Sequence, residues 1–175
     1  EKGVEVLLRA LPAILARYPK AMVQFAGPYK NIIGEEAYLS RLLPQIQKYE
    51  AEGHWRFLGL LDPEAMAAFY PNLDILVIPS LNSTEAFGLV QVEAMMNGVP
   101  SIASNLPGVR QPVMVHGMGK IIPIGDSDAL AKAVIEIQQD PERFRVDLAD
   151  VHTRYTPDAI AREYEKIFEE IKSEI

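Results

Sequence analysis

The segment Leu73 to Ala103, LDILVIPSLNSTEAFGLVQVEAMMNGVPSIA, changes character three times in thirty-one residues. Leu73 to Pro79 is an apolar run of strand length, bounded by turn residues and too short for a helix. Leu81 to Phe87 is polar and irregular. Gly88 to Asn97 reads as a helix, and Gly98 stands where a left-handed residue closes a helix C-terminus. Val99 to Ala103 is again apolar and strand-like. Neither strand alternates polar and apolar residues, so each is buried on both faces, the mark of a parallel sheet covered by helices on both sides.

The pattern continues in both directions. Towards the N-terminus, Val4, Leu7, Leu8, Leu11, Ile14 and Leu15 form one stripe of a helix over Val4 to Tyr18. Ala21 to Ala26 and Trp55 to Gly59 are further strands. Glu35 to Tyr49 has helical spacing, with Pro44 marking a kink or break. Asp62-Pro63-Glu64 supplies an N-cap, a first-turn proline and a first-turn acid for a short helix ending near Tyr70. Towards the C-terminus, a loop carries Pro107, Gly108 and Pro112, and Lys120 to Ile124 is extended. Asp126 or Ser127 caps a helix with Leu130, Ala133, Val134 and Ile137. Asp140-Pro141 opens a short helix, and Thr156-Pro157-Asp158 starts the last one, with Ile160, Tyr164, Ile167, Phe168 and Ile171 along one side. Strands alternating with helices specify an α/β domain with a doubly wound parallel sheet. In such a sheet the ligand crevice lies at the carboxyl ends of the strands, here loops 27–34, 59–62, 80–88 and 104–112.

Composition narrows the partners. The chain has 175 residues, 49% of them apolar, with a mean hydropathy of +0.02, enough for one domain with a real core. Seventeen Lys and Arg against 24 Asp and Glu give a formal charge of −7, the wrong sign for a nucleic-acid or anionic-membrane surface. Without cysteine there is no disulfide, thiolate metal site or thiol nucleophile. The longest apolar runs fall far short of the roughly 20 residues of a membrane span, so the composition is that of a soluble domain.

The loops contain no G-x-G-x-x-G after a strand, and Gly117-Met118-Gly119-Lys120 lacks P-loop spacing. Asp126-Ser127-Asp128 reads as a cap and acidic first turn rather than a metal triplet. His54, His116 and His152 are scattered without ligand spacing, and Trp55 and Met95-Met96 read as packing residues. The segment Glu85 to Glu93 differs. Glu85 falls in the crevice loop and Glu93 about a turn inside the following helix. Gly88 lets backbone approach a ligand, and first-turn N–H groups offer an anion site. Each carboxylate has acceptors for both hydrogens of a vicinal diol. Anion donors beside diol acceptors suit a nucleoside-diphosphate sugar. On spacing alone, a cap acid at Glu85 and a solvated Glu93 are an equal reading.

Glu85 to Glu93 resembles the E-x7-E motif of the retaining group 1 glycosyltransferases, whose two facing Rossmann-like domains form the GT-B fold. Glu1-Lys2-Gly3 resembles the E-K-G that opens the family's first helix, Phe25-Ala26-Gly27-Pro28 its strand-end G-P, and Phe57-Leu58-Gly59 its F-L-G strand. Pro79-Ser80, Glu93-Ala94-Met95, Gly98-Val99-Pro100 and the Gly117 to Leu130 pattern follow in the family's order. The resemblance covers nearly the whole chain. It implies that residues 1–175 are the C-terminal, donor-binding half of a longer enzyme. Glu93 would hold the ribose, Glu85 the transferred sugar as the catalytic-site acid, and the backbone of Ala86, Phe87, Gly88 and Leu89 the sugar and phosphate. Lys2 would neutralise the diphosphate, the loops after Gly27 and Gly59 would flank the base, and Lys30 would neighbour a phosphate, although a solvated loop lysine is the favoured reading. It implies a nucleotide-sugar donor, no metal or other cofactor, a cytoplasmic enzyme peripheral to the inner membrane face, and any lipid acceptor met through the N-terminal domain.

Departures from the family pattern carry expectations too. The strand ending in Gly-Arg that precedes E-K-G is missing, and with it a second diphosphate ligand. Asn105 to Arg110 stands where many members have an acid after a proline. The acceptor site and the histidine of many members belong to the N-terminal domain, so this chain alone would not turn over. Without its central first strand the isolated polypeptide is expected to be marginal, dimeric or aggregation-prone. The terminal helix, 158–175, is expected to pack on the N-terminal domain. The competing reading is a nucleotide-sugar or phosphate-ligand binding module without transfer chemistry. A receiver-type signalling domain would need acids at the first strand's end and an Asp ending a middle strand, and Leu73 to Pro79 ends without one.

Overall fold

A computed structural model describes residues 1–30 and 33–173. Residues 31, 32, 174 and 175, which fall within the predicted 27–34 loop and the predicted 158–175 helix, lie outside the described residues. The elements run α1 (Val4–Arg17), β1 (Val23–Ala26), α2 (Glu36–Ala51), β2 (Trp55–Gly59), α3 (Pro63–Phe69), a 3₁₀ turn (Tyr70–Asn72), β3 (Leu76–Ile78) and α4 (Leu89–Met96). They continue with β4 (Ser101–Ser104), α5 (Gln111–His116), β5 (Gly119–Ile122), α6 (Ser127–Gln139), a 3₁₀ turn (Pro141–Phe144), α7 (Leu148–Arg154) and α8 (Pro157–Ser173). Every strand pair is parallel. β1 pairs with β2, and β4 lies between β3 and β5.

The β3–β4–β5 sheet carries a hydrophobic core on each face. Ile102 of β4 packs with Val6, Ala10 and Ile14 of α1 and Leu130 and Ile137 of α6 on one side. Its neighbour Ala103 packs with Met95 of α4, Val113 of α5 and Val151 of α7 on the other. Period-two alternation therefore sorts β4 between two cores, and all four of its residues are buried. The β1–β2 pair forms a third core, in which Leu8 and Leu11 of α1 meet Leu42 and Ile46 of α2 and Trp55 of β2.

α1 is where the fold departs most from expectation. Its single predicted stripe is in fact two. Leu8 and Leu11 face the two-stranded sheet, while Val6, Ala10 and Ile14 at i, i+4 and i+8 face the three-stranded one. Serving both sheets takes more than one stripe of helix surface, so Val6 and Ala10 are as buried as the leucines. Among the described residues β1 and β3 each keep one unpaired edge.

Two short helices stand where the sequence reading places none, α5 in a segment read as loop and α7 in one left unassigned. α5 occupies the loop assigned around Pro112, because a proline in the first turn costs no hydrogen bond. α7 is started by Asp147, whose carboxylate accepts from Ala149 N at 2.9 Å. α2 runs unbroken through Pro44. Asp62 and Asp126 cap α3 and α6, each accepting an amide at 2.8 Å, so the Asp126-Ser127-Asp128 triplet is a helix start. The predicted apolar side of α8 lies exposed, with Ile160, Tyr164, Ile167, Phe168 and Ile171 between 43% and 58% accessible.

Candidate functional site

The site is built where α1, the β3 exit and α4 meet. Gly3 precedes α1 with φ of 70°, and a Cβ there would lie 1.9 Å from the Pro79 carbonyl oxygen. Only glycine permits this approach, and it brings the N-terminal segment against the end of β3, where Leu81 N donates to Glu1 O at 2.8 Å. Lys2 is thereby placed beside Glu85, and its ammonium donates to Glu85 Oε2. The lysine is two-thirds exposed while the Glu85 side chain is only 19% exposed.

The turn from Glu85 to Gly88 is fixed from behind. Gly88 takes φ of 77° as α4 begins. Gln91 is fully buried, and its amide donates to Phe87 O at 3.2 Å and to Val109 O at 2.8 Å. This ties the turn to the loop after β4. A Cβ on Gly108 of that loop would lie 1.6 Å from Ala86 O, so the two backbones are in close contact. Held this way, the first-turn amides of α4, which a helix cannot satisfy internally, lie at the positive end of the helix dipole. Leu89 and Val90 at that end are exposed.

Glu93 lies one turn further along α4 on its exposed side, where Tyr70 donates its phenol O–H to Glu93 Oε2. Burial, then the hydrogen bond and charge of Glu93, push the Tyr70 phenol well above its ordinary range. The structure thus brings Lys2, Glu85 and the turn through Ala86, Phe87, Gly88 and Leu89 together, with Glu93 next along the same helix. Gly27 sits instead at the end of β1, where its N–H donates to Gly59 O at 2.8 Å and joins the two crevice loops of the smaller sheet. Beside it, Tyr29 stacks on Phe57 with ring centroids 3.8 Å apart, and Lys30 lies over the Tyr29 ring.

Tyr70, Gln91 and Gly108 were not read from the sequence as site residues. Their roles arise from contacts spanning 18 to 23 positions, which no local pattern encodes. Among the described residues no group of three or more His, Cys, Asp or Glu is arranged to hold a metal. The histidines are engaged in packing contacts: His54 Nδ1 lies 3.0 Å from Ala21 O, His116 Nε2 3.1 Å from Tyr155 Oη and His152 Nε2 3.0 Å from Met96 O.

A parallel α/β unit with an acid on either side of a helix N-terminus, and a lysine facing the first, defines the class: a Rossmann-like half of a GT-B architecture. Residues 1–150 match the family described as glycosyl transferases group 1, and the chain belongs to that family. It is 35% identical over 141 residues to the phosphatidyl-myo-inositol mannosyltransferase of Mycolicibacterium smegmatis, covering 81% of this chain and 34% of that relative. Among solved structures it resembles sucrose-phosphate synthase from Thermosynechococcus elongatus with a TM-score of 0.73 and 28% identity, over 97% of this chain and 43% of that one. It also resembles Anabaena HepE, solved in complex with UDP, with a TM-score of 0.66 and 26% identity over 94% of this chain and 45% of that one. The chain therefore spans less than half the length of these relatives. No helix among the described residues is long and apolar enough to cross a membrane.

Proposed function

We propose that residues 1–175 are the donor-binding half of a retaining, metal-independent glycosyltransferase that moves a sugar from a nucleoside diphosphate to an acceptor hydroxyl. The observation that carries this is the pairing of Lys2 with Glu85 at the N-terminus of α4, with Glu93 a turn inside the same helix. Glu93 accepts the ribose hydroxyls, and the α4 amides and Lys2 hold the diphosphate. Glu85 and the Ala86 to Leu89 backbone hold the sugar. The Lys2 ammonium is paired with Glu85, and a bound diphosphate competes for that ammonium and frees Glu85 for sugar hydroxyls. As the glycosidic bond breaks, negative charge grows on the leaving diphosphate. A fixed ammonium and helix amides then stabilise the transition state more than the ground state. The UDP held by HepE supports a nucleotide ligand for this fold.

The experiment is calorimetric titration of the intact protein with UDP-, GDP- and ADP-sugars, comparing wild type with Glu93→Ala. Each charge-assisted hydrogen bond lost costs roughly 1.5–3 kcal/mol, so affinity should fall at least tenfold. Unchanged affinity would overturn the ribose assignment. A sugar donor that binds through Glu93 but is never transferred to any acceptor would favour a binding module.

The unpaired edges of β1 and β3 support a second element of this reading, a further parallel strand that pairs with both and runs into Glu1. The Glu1 carbonyl already accepts from Leu81 just past β3, as a continuing parallel ladder would. Residues 1–175 alone should melt at lower temperature, and with less cooperativity, than a polypeptide extended at the N-terminus. A sharp monomeric melt of the unextended chain at the same temperature would remove the strand from the proposal. On the same reading, the exposed apolar side of α8 is the face that docks on the other half of the enzyme.

A further inference from the structure

We infer that Tyr70 is a positioning residue for Glu93, holding its carboxylate in the orientation that receives the two ribose hydroxyls. The inference rests on the reading of Glu93 given above. Tyr70 is 4% exposed, and its ring packs with Ala94 of α4, Val99, and the partly buried Met66 and Leu76. Packing fixes the ring, and the hydroxyl therefore reaches the surface at one point, Glu93 Oε2. Glu93 itself is exposed on α4. Without a fixed partner, its three side-chain torsions would sample many orientations, and a ligand would have to order them on binding.

The division of the carboxylate suits the task. Tyr70 occupies one acceptor position of Oε2, leaving the other position on Oε2 and both on Oε1 for a vicinal diol. The phenol is a donor that does not titrate in the neutral range, because burial and Glu93 both favour its protonated form. Packing alone gives no reason for a hydroxyl here, since a phenylalanine would fill the same space without a polar group to satisfy. The oxygen is explained by the carboxylate it faces. The connection also runs along the chain. Tyr70 closes α3, whose start at Asp62-Pro63 follows directly on the loop after Gly59. That loop and Glu93 are thus linked through α3 and one side chain.

The test is Tyr70→Phe in the intact protein, titrated with UDP, GDP and ADP and with their 2′,3′-dideoxy counterparts, alongside Glu93→Ala and the double variant. Tyr70→Phe should weaken the ribonucleotide that binds by about 3- to 10-fold, the scale of one hydrogen bond, and leave its dideoxy counterpart unchanged. It should add nothing in the Glu93→Ala background. Equal weakening of both ligands would show a purely structural role and overturn the inference, as would no weakening of either. If Glu93→Ala leaves binding untouched, the ribose reading itself falls, an outcome distinct from failure of Tyr70→Phe alone.

Discussion

Glu85 and Glu93 bound one nine-residue segment and carry the same chemistry, yet the protein holds them by opposite means. Glu93 meets a phenol seated in the core. Glu85 meets an ammonium that is two-thirds exposed, on the short segment before α1 that the Gly3 contact and the Glu1 to Leu81 hydrogen bond hold against the end of β3. One end is set before any ligand arrives. The other is paired with a solvent-facing charge and, on the proposed reading, exchanges partners when a diphosphate binds. If Glu93 holds the ribose and Glu85 the sugar, as proposed, a site preorganised at one end and adjustable at the other captures the common part of a donor first and commits to the reacting part second.

The largest effect that would break this contrast belongs to Gly108→Ala. The added Cβ would fall 1.6 Å from Ala86 O, and the facing atom is backbone, so the 85–88 turn must move. The expected cost is roughly 1–3 kcal/mol of stability, with a lower melting temperature. Hydrogen exchange should speed up at the Ala86 to Gly88 amides while the α4 interior from Val92 to Met96 keeps its protection. Uniform deprotection of α4 would show that the two ends are a single unit.

A smaller effect is expected from Lys2→Met. Surface ion pairs contribute about 0–1 kcal/mol, so the melting temperature should hardly change. Affinity for a nucleoside diphosphate should drop by about tenfold or more as a charge-assisted contact is lost, while affinity for the bare nucleoside is retained. Equal losses for both ligands would place Lys2 away from the diphosphate.

The parts of this arrangement legible in sequence are those governed by local chemistry. Gly88 and Gly98 mark α4 because each takes a positive φ that glycine adopts freely. Asp62 and Asp126 declare helix starts because a carboxylate one turn from an amide is a short-range event. Glu85 and Glu93 could be placed at a helix N-terminus for the same reason. The supports were not legible. Tyr70 looked like the end of a short helix, and nothing near Gln91 in sequence signals that its amide will bridge to Val109. The second buried side of α1 was hidden because Val6 and Ala10 are inconspicuous until two sheets, rather than one, press on the helix. α7 carries only one fully buried apolar residue, Val151, too little periodicity to register.

The smallest expected effect lies behind the Glu85 end. Gly108 belongs to a loop that leads into α5, and α5 ends at His116, whose Nε2 contacts the Tyr155 hydroxyl at the end of α7. Burial holds His116 below its ordinary pKa, and the nearby Arg154 guanidinium lowers it further against an opposing pull from Asp150. The folded state therefore prefers the neutral ring. Above the unfolded value of about 6.5 the imidazole is neutral in both states and its contribution is complete. Below that value the unfolded chain takes up the proton more readily, and stability declines as pH falls towards the lowered folded value. Thermal melts from pH 7.5 to 5.5 should show the wild type losing more than His116→Gln, which cannot titrate. Loosening should appear first in α5 and the Gly108 loop, on the Glu85 side of the segment, while the Tyr70–Glu93 side is unaffected. Parallel pH curves for the two proteins would show that this histidine does not couple acid to the adjustable half of the site.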